Sequence, residues 1–223
     1  MFILLFFPVY SYGQTRQTIL WHSFQFPIML SGKWQMHNDV SYRTIGTSFS
    51  AYQYSYRTGL RRLLTHDWST AAGFAFFFTR VKFDKLNHEF SNEFRLWQEI
   101  VKGQMISKRL NVINRLRTEE RFLAATSTKD KYFALRFLYK LSFVESLTAR
   151  WKLQLGDEYM QQLTGNKLGF QQNRLSLTAI LVVNAHTQFQ TGYMRASLVS
   201  ATQHNVIFTF SKTITNNEHR HKG

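Results

Sequence analysis

From Thr18 to Thr213 apolar and polar residues alternate, and no other feature of this chain restricts its fold as much. A period of two belongs to a strand with one apolar and one polar face, because successive side chains leave a β-strand on opposite sides. Residues 33–43 show it cleanly. Trp34, Met36, Val40 and Tyr42 share one face, with Asn38 the exception, and Lys33, Gln35, His37, Asp39, Ser41 and Arg43 share the other. Residues 50–61, 68–78, 89–101, 109–122, 132–145 and 149–158 repeat the pattern, and weaker stretches cover 18–26, 174–183, 187–198 and 206–212.

The count is eleven, within an expected range of ten to twelve strands of about ten to fourteen residues. Such lengths exceed those of most soluble sheets and suit a tilted membrane crossing. A single-chain bacterial barrel is expected to have an even number, so one strand should be missing or misbounded. Short turns are expected near 64–67, 102–104 and 145–148, and longer loops near 80–88, 124–131 and 159–171.

The two faces differ in a way that selects between soluble and membrane barrels. On 132–145, Phe133, Leu135, Phe137, Tyr139, Leu141 and Phe143 oppose Arg136, Lys140 and Ser142. A small dry core cannot hold successive charged groups, whereas lipid accepts rows of Phe and Leu that water does not. The expected fold is therefore all-β, an antiparallel up-and-down transmembrane barrel with the apolar face outward. The weaker alternative is a soluble lipocalin-like or two-sheet protein with a polar surface. Trp68, Tyr132 and Trp151 stand at strand ends, where aromatic girdles form.

Composition agrees. The chain of 223 residues suits one domain, and no Pro/Gly-rich linker divides it, with 11 Gly and only 2 Pro. Aromatic residues make up 16 % of it, yet no apolar run after Tyr12 approaches the ~18 residues of a membrane helix. Met1 to Gln14 read as an apolar run followed by Ser11-Tyr12-Gly13, with the small residues Ser11 and Gly13 where signal peptidase requires them. The basic segment that usually opens such a signal is absent. The domain reading is an export signal at 1–13 and a single barrel at 14–223, placed in the outer membrane of a Gram-negative bacterium.

Two stretches carry a family resemblance. Asn92-Glu93-Phe94-Arg95-Leu96-Trp97-Gln98 and Asn114-Arg115-Leu116-Arg117-Thr118-Glu119-Glu120-Arg121-Phe122 resemble the family catalogued as domain of unknown function 2490. The opening hairpin at Leu30-Ser31-Gly32-Lys33-Trp34 is similar to that family's first turn. The resemblance implies an exported β-barrel whose biochemical role is not established.

The net charge is +15. Such a surplus points to a polyanionic partner. The basic residues alternate with apolar ones over many strands and form no single patch, so nucleic acid is not expected. Instead Arg57, Arg61, Glu93, Arg95, Arg109, Arg115, Arg117, Glu119, Arg121, Arg136, Lys140, Arg150 and Lys152 are expected to face the lumen. With a turn near 102–107, Glu93 should fall opposite Arg115 or Arg117. The functional reading is a narrow, anion-preferring pore for small acidic solutes or oligosaccharides. Against it stands a non-conducting structural or adhesive barrel, in which the charges pair with each other and fill the lumen.

Expected partners are outer-membrane lipid, lipopolysaccharide and the barrel-assembly machinery, besides small anionic solutes. No cofactor is expected. Cysteine is absent, so neither a disulfide nor a thiolate metal site is available. The chain has neither the Gly-x-Ser-x-Gly elbow nor the His-Glu-x-x-His pattern, and a lipid-modifying enzyme is the least favoured class. His22, His37 and His186 fall singly on strands, and His219 and His221 sit in a polar tail.

Overall fold

The computed structural model describes residues 15–46, 50–65, 67–81 and 89–215. The export signal read in 1–13, most of the loop read at 80–88, and the tail carrying His219 and His221 lie outside the described residues. Thirteen strands form one sheet among those described. They are β1 (Thr15–Gln25), β2 (Ile28–Met29), β3 (Trp34–Ile45), β4 (Ser50–Leu63), β5 (Trp68–Arg80), β6 (Phe90–Met105) and β7 (Leu110–Leu123). After them come β8 (Tyr132–Ser146), β9 (Trp151–Thr164), β10 (Lys167–Asn184), β11 (Thr187–Leu198), β12 (Ala201–Lys212) and β13 (Ile214–Thr215). The two-residue β2 continues β1 past a break at Phe26-Pro27, and β13 continues β12 past Thr213. A proline cannot donate to a ladder, which accounts for the first break.

The eleven long strands close into a barrel. From β3 to β12 each pairs antiparallel with its successor. Closure comes from β1, which pairs antiparallel with β3 and parallel with β12, from Thr15↔Ala201 to Gln25↔Ser211. With an odd number of alternating strands the first and last run the same way, so the closing pair must be parallel. The expected even number is thus corrected. Among the described residues eleven is the count, and the parallel seam accommodates it.

Five connections at one end, 30–33, 64–67, 106–109, 147–150 and 185–186, have two to four residues. The other end carries the loops 81–89 and 124–131, along with shorter links. Four of the short turns share a sequence: Leu30-Ser31-x-x-Trp34, Leu64-Thr65-x-x-Trp68, Ile106-Ser107-x-x-Leu110 and Leu147-Thr148-x-x-Trp151. In three of them the hydroxyl accepts from the N–H groups two and three residues further on, the last of the turn and the first of the next strand. Ser107 Oγ takes Arg109 N at 3.2 Å and Leu110 N at 3.1 Å, and Ser31 and Thr148 do the same. Such side-chain turns stop a strand where the alternation alone would let it run on.

Two expected connections are corrected. Residues 102–104 belong to β6, which runs to Met105, and the turn falls at 106–109. Residues 159–171, read as a long loop, are the ends of β9 and β10 joined at Gly165-Asn166. Gly165 has a φ of 57°, as the first central position of a two-residue hairpin turn requires. The polar run Gln161-Gln162 and Gln171-Gln172 hid these strand ends from the alternation.

The faces are as the alternation predicts, except that Tyr52, read as outward with Tyr54 and Tyr56, lines the interior beside a register shift between β3 and β4. Phe74, Phe76, Phe78, Phe122, Phe133 and Phe137 are all exposed on the outside. Ring contacts run from Phe76 through Phe94 and Phe122 to Phe133, at centroid distances of 5.3, 6.0 and 5.2 Å across four strands. Trp34, Trp68 and Trp151 open β3, β5 and β9 at the short-turn end. Arg62 lies over Trp34 at 5.4 Å and Lys102 over Trp68 at 5.3 Å. Tyr132 belongs to no girdle, because it lines the interior cavity.

Candidate functional site

The barrel interior holds most of the buried charge, and alternation is what puts it there. On the β6–β7 hairpin the register pairs Arg95 with Arg121, Trp97 with Glu119 and Glu99 with Arg117. Glu93 faces Leu123, so its expected partnership with Arg115 or Arg117 is corrected. The shift follows from the turn lying at 106–109, several residues beyond its expected start. Glu93 is instead clamped between Arg95 and Arg121. It accepts from Nε and Nη2 of Arg95 at 2.5 and 3.0 Å, and from the same atoms of Arg121 at the same distances.

The other carboxylates are shared in the same way. Glu119, only 2 % exposed, accepts from Arg95 Nη1 at 3.2 Å and from Arg136, and lies 3.6 Å from Arg117 Nη1. Glu99 accepts from Arg117 Nε at 3.0 Å and Arg61 Nη2 at 3.1 Å. Glu158 takes Arg115 and, at 3.2 Å, Arg174 Nη1. Charge-assisted bonds of this kind are stronger than neutral ones, and each acid here holds at least two guanidinium groups.

Toward the short-turn end the interior is filled. Trp97, 2 % exposed, packs against Gly59, where a Cβ would also stand only 2.5 Å from the Ala72 carbonyl oxygen. Gly59 and Gly73 face each other across β4 and β5, and the absence of side chains there makes room for the indole. Ala71 and Ala75 complete this packed cluster with Phe77. Arg117 lies 5.1 Å over the Trp97 ring and His37 meets its edge at 6.3 Å.

Above this layer is a cavity of about 600 Å³, lined in part by Thr126, Thr128 and Lys129 of the 124–131 loop. Trp97, His37, Arg61 and Glu99 are not among its lining residues. Eleven cationic side chains line it against four carboxylates, Asp39, Glu93, Glu119 and Glu158. Arg43, Arg57 and Lys140 are among the cations, and none of the three has a carboxylate within 4 Å among the described residues. Arg43 instead stacks on Trp21 at 3.6 Å, and Arg95 on Phe77 at the same distance.

Of the expected lumen residues, Arg57, Glu93, Arg95, Arg115, Arg117, Glu119, Arg121, Arg136 and Lys140 line this cavity together. Arg61 sits below it on Glu99. Lys152 lies near the turn end on the same alternating set as Gln154 and Glu158 but outside the cavity lining. Arg109 and Arg150 are corrected: both are exposed in the turns before β7 and β9. Arg43, Glu158 and Arg174 line the cavity without having been singled out, and Glu99 and Trp97 form its underlying layer. Their positions in the alternation were legible. Their convergence was not, because Arg115 on β7 and Arg174 on β10 meet at Glu158 of β9 through the register of four neighbouring strands, which spacing along the chain does not set.

A comparison with protein families fits this geometry. The family described as "Protein of unknown function (DUF2490)" matches residues 18–206, from β1 into β12. The chain belongs to this family. No curated protein and no solved structure matches the chain. For this DUF2490 member the matched span reaches every strand that lines the cavity, with Ile207 and Thr209 of β12 lying beyond its end. No group of three or more His, Asp or Glu that could hold a metal ion occurs among its described residues.

Proposed function

We propose that this DUF2490 protein is an outer-membrane barrel whose lumen is a narrow, anion-preferring passage for small acidic solutes. The observation that carries this reading is the lining itself, with eleven cations and four carboxylates around about 600 Å³. An enclosed space with such a surplus lowers the energy of anions and raises that of cations. The membrane part rests on the outer face, whose contiguous Phe and Leu rows exceed what a water-facing surface tolerates. Trp34 with Arg62 and Trp68 with Lys102 match the aromatic and basic belt of a bilayer interface. On this reading the long-loop end is the vestibule and the Trp97–Arg117–Glu99–Arg61 layer is the constriction.

The test is single-channel recording of the refolded protein in a planar bilayer. Wild type should give a small, steady conductance with an anion-side reversal potential, and Trp97→Leu should raise it several-fold. A heat-modifiable barrel that conducts in neither form would sink the passage. It would favour the second reading, a closed barrel with a vestibule, for which the tight burial of Trp97 and Glu119 already speaks.

A further inference from the structure

The cavity has two chemically different walls. One holds the cations, with Arg43 on β3, Arg57 on β4 and Lys140 on β8 left without carboxylates among the described residues. The other is neutral apart from Arg174, which pairs with Glu158. On three adjacent strands, Thr178 of β10, Gln190 of β11 and Thr209 of β12 line the same cavity. Gln190 stands directly opposite Thr209. Among the described residues none of these three side chains has a hydrogen-bond partner, so their donors and acceptors remain available to an occupant. Between the walls stands Trp21 of β1, with Ile207 on one side and Arg43 on the other in register. Its indole N–H is buried and also has no partner.

We infer that the cavity is a binding site for an acidic saccharide, a short sugar carrying carboxylate or phosphate groups. This deepens the anion-preferring reading and rests on it. A simple polyanion would answer Arg43, Arg57 and Lys140 but leave Thr178, Gln190 and Thr209 unused. A neutral sugar would use the hydroxyl and amide wall and leave the guanidinium groups uncompensated. A ring with anionic substituents on one edge and hydroxyls on the other meets both walls, and the Trp21 indole offers it an apolar face and one more donor. The size is suitable, since cavities of roughly 300–1,000 Å³ enclose ligands of drug-like size. Entry is from the long-loop end, where the 124–131 loop lines the mouth, because the Trp97 layer fills the other side.

The test is titration calorimetry on the refolded full-length protein with three probes: trigalacturonate, citrate and maltotriose. Trigalacturonate should bind at least tenfold more tightly than either of the others. Arg57→Met should weaken trigalacturonate and citrate together, whereas Gln190→Leu should weaken trigalacturonate about tenfold and leave citrate unchanged. Heat-modifiable migration of both variants confirms that the barrel is intact. Citrate binding as tightly as trigalacturonate would overturn the saccharide site while leaving the anion-preferring lumen standing. Maltotriose binding as tightly as trigalacturonate would overturn the role of the cationic wall. No binding of trigalacturonate or citrate would overturn both readings.

Discussion

Single residues decide whether the interior is a packed salt network or a loose one. Arg117 donates twice to Glu99, stands 3.6 Å from Glu119 and lies over Trp97, all within the barrel. Its replacement by leucine leaves Glu99 to Arg61 and removes one of the three cations around Glu119. Breaking a buried pair from one side costs about 3–5 kcal/mol, because the remaining charge stays desolvated. Arg117→Leu should therefore lower the urea midpoint of the refolded barrel by an amount matching such a loss. An unchanged midpoint would mean that water reaches these groups. Glu93→Gln should act alike, since Arg121 has that carboxylate as its ion-pair partner and Arg95 would keep only Glu119. Outside, the sign reverses. With that face toward lipid, as proposed, Phe137→Arg puts a charge on it at a cost of about 2–4 kcal/mol near a bilayer midplane, and should block assembly into vesicles. Normal assembly of that variant would show the faces to be reversed.

At the scale of strands, Gly59 and the closing seam are the two features most open to test. Gly59→Ala introduces a Cβ against both Trp97 and the Ala72 carbonyl, so the β4–β5 pair must spread. Overpacking of this kind costs about 1–3 kcal/mol and should be visible as a lower unfolding midpoint. The parallel seam sets Ser23 beside Thr209. In a chain without cysteine, Ser23→Cys with Thr209→Cys should form a disulfide on mild oxidation, whereas Ser23→Cys with Thr202→Cys should not. Most of the elements were legible in the alternation. Residues 187–198 have the same bounds in both, and 68–78 differs from β5 only by two residues at its end. The failures came where polarity breaks the pattern. Tyr159 to Gln171 reads as loop, and the continuation of β6 through Gly103 to Met105 reads as turn. Placing that turn several residues too early moved every charge pairing expected on the β6–β7 hairpin.

For the molecule as a whole, alternation could say which side chains point inward but not how they meet. Arg61 reaches Glu99 from β4 across β5, and Arg174 reaches Glu158 from the next strand, contacts set by strand order and tilt. The odd strand number also has a global consequence. β1 begins at the long-loop end and β12 finishes at the short-turn end, so the barrel is entered and left on opposite sides. The central proposal, a lumen that prefers anions because its cations outnumber its carboxylates, can be examined without knowing the ligand. The most direct measurement is the reversal potential of the refolded protein in a planar bilayer under a tenfold potassium chloride gradient, with Arg57→Met beside it. The account predicts a reversal potential on the chloride side that moves toward zero in Arg57→Met. A potential on the potassium side, or one that Arg57→Met leaves in place, would contradict it.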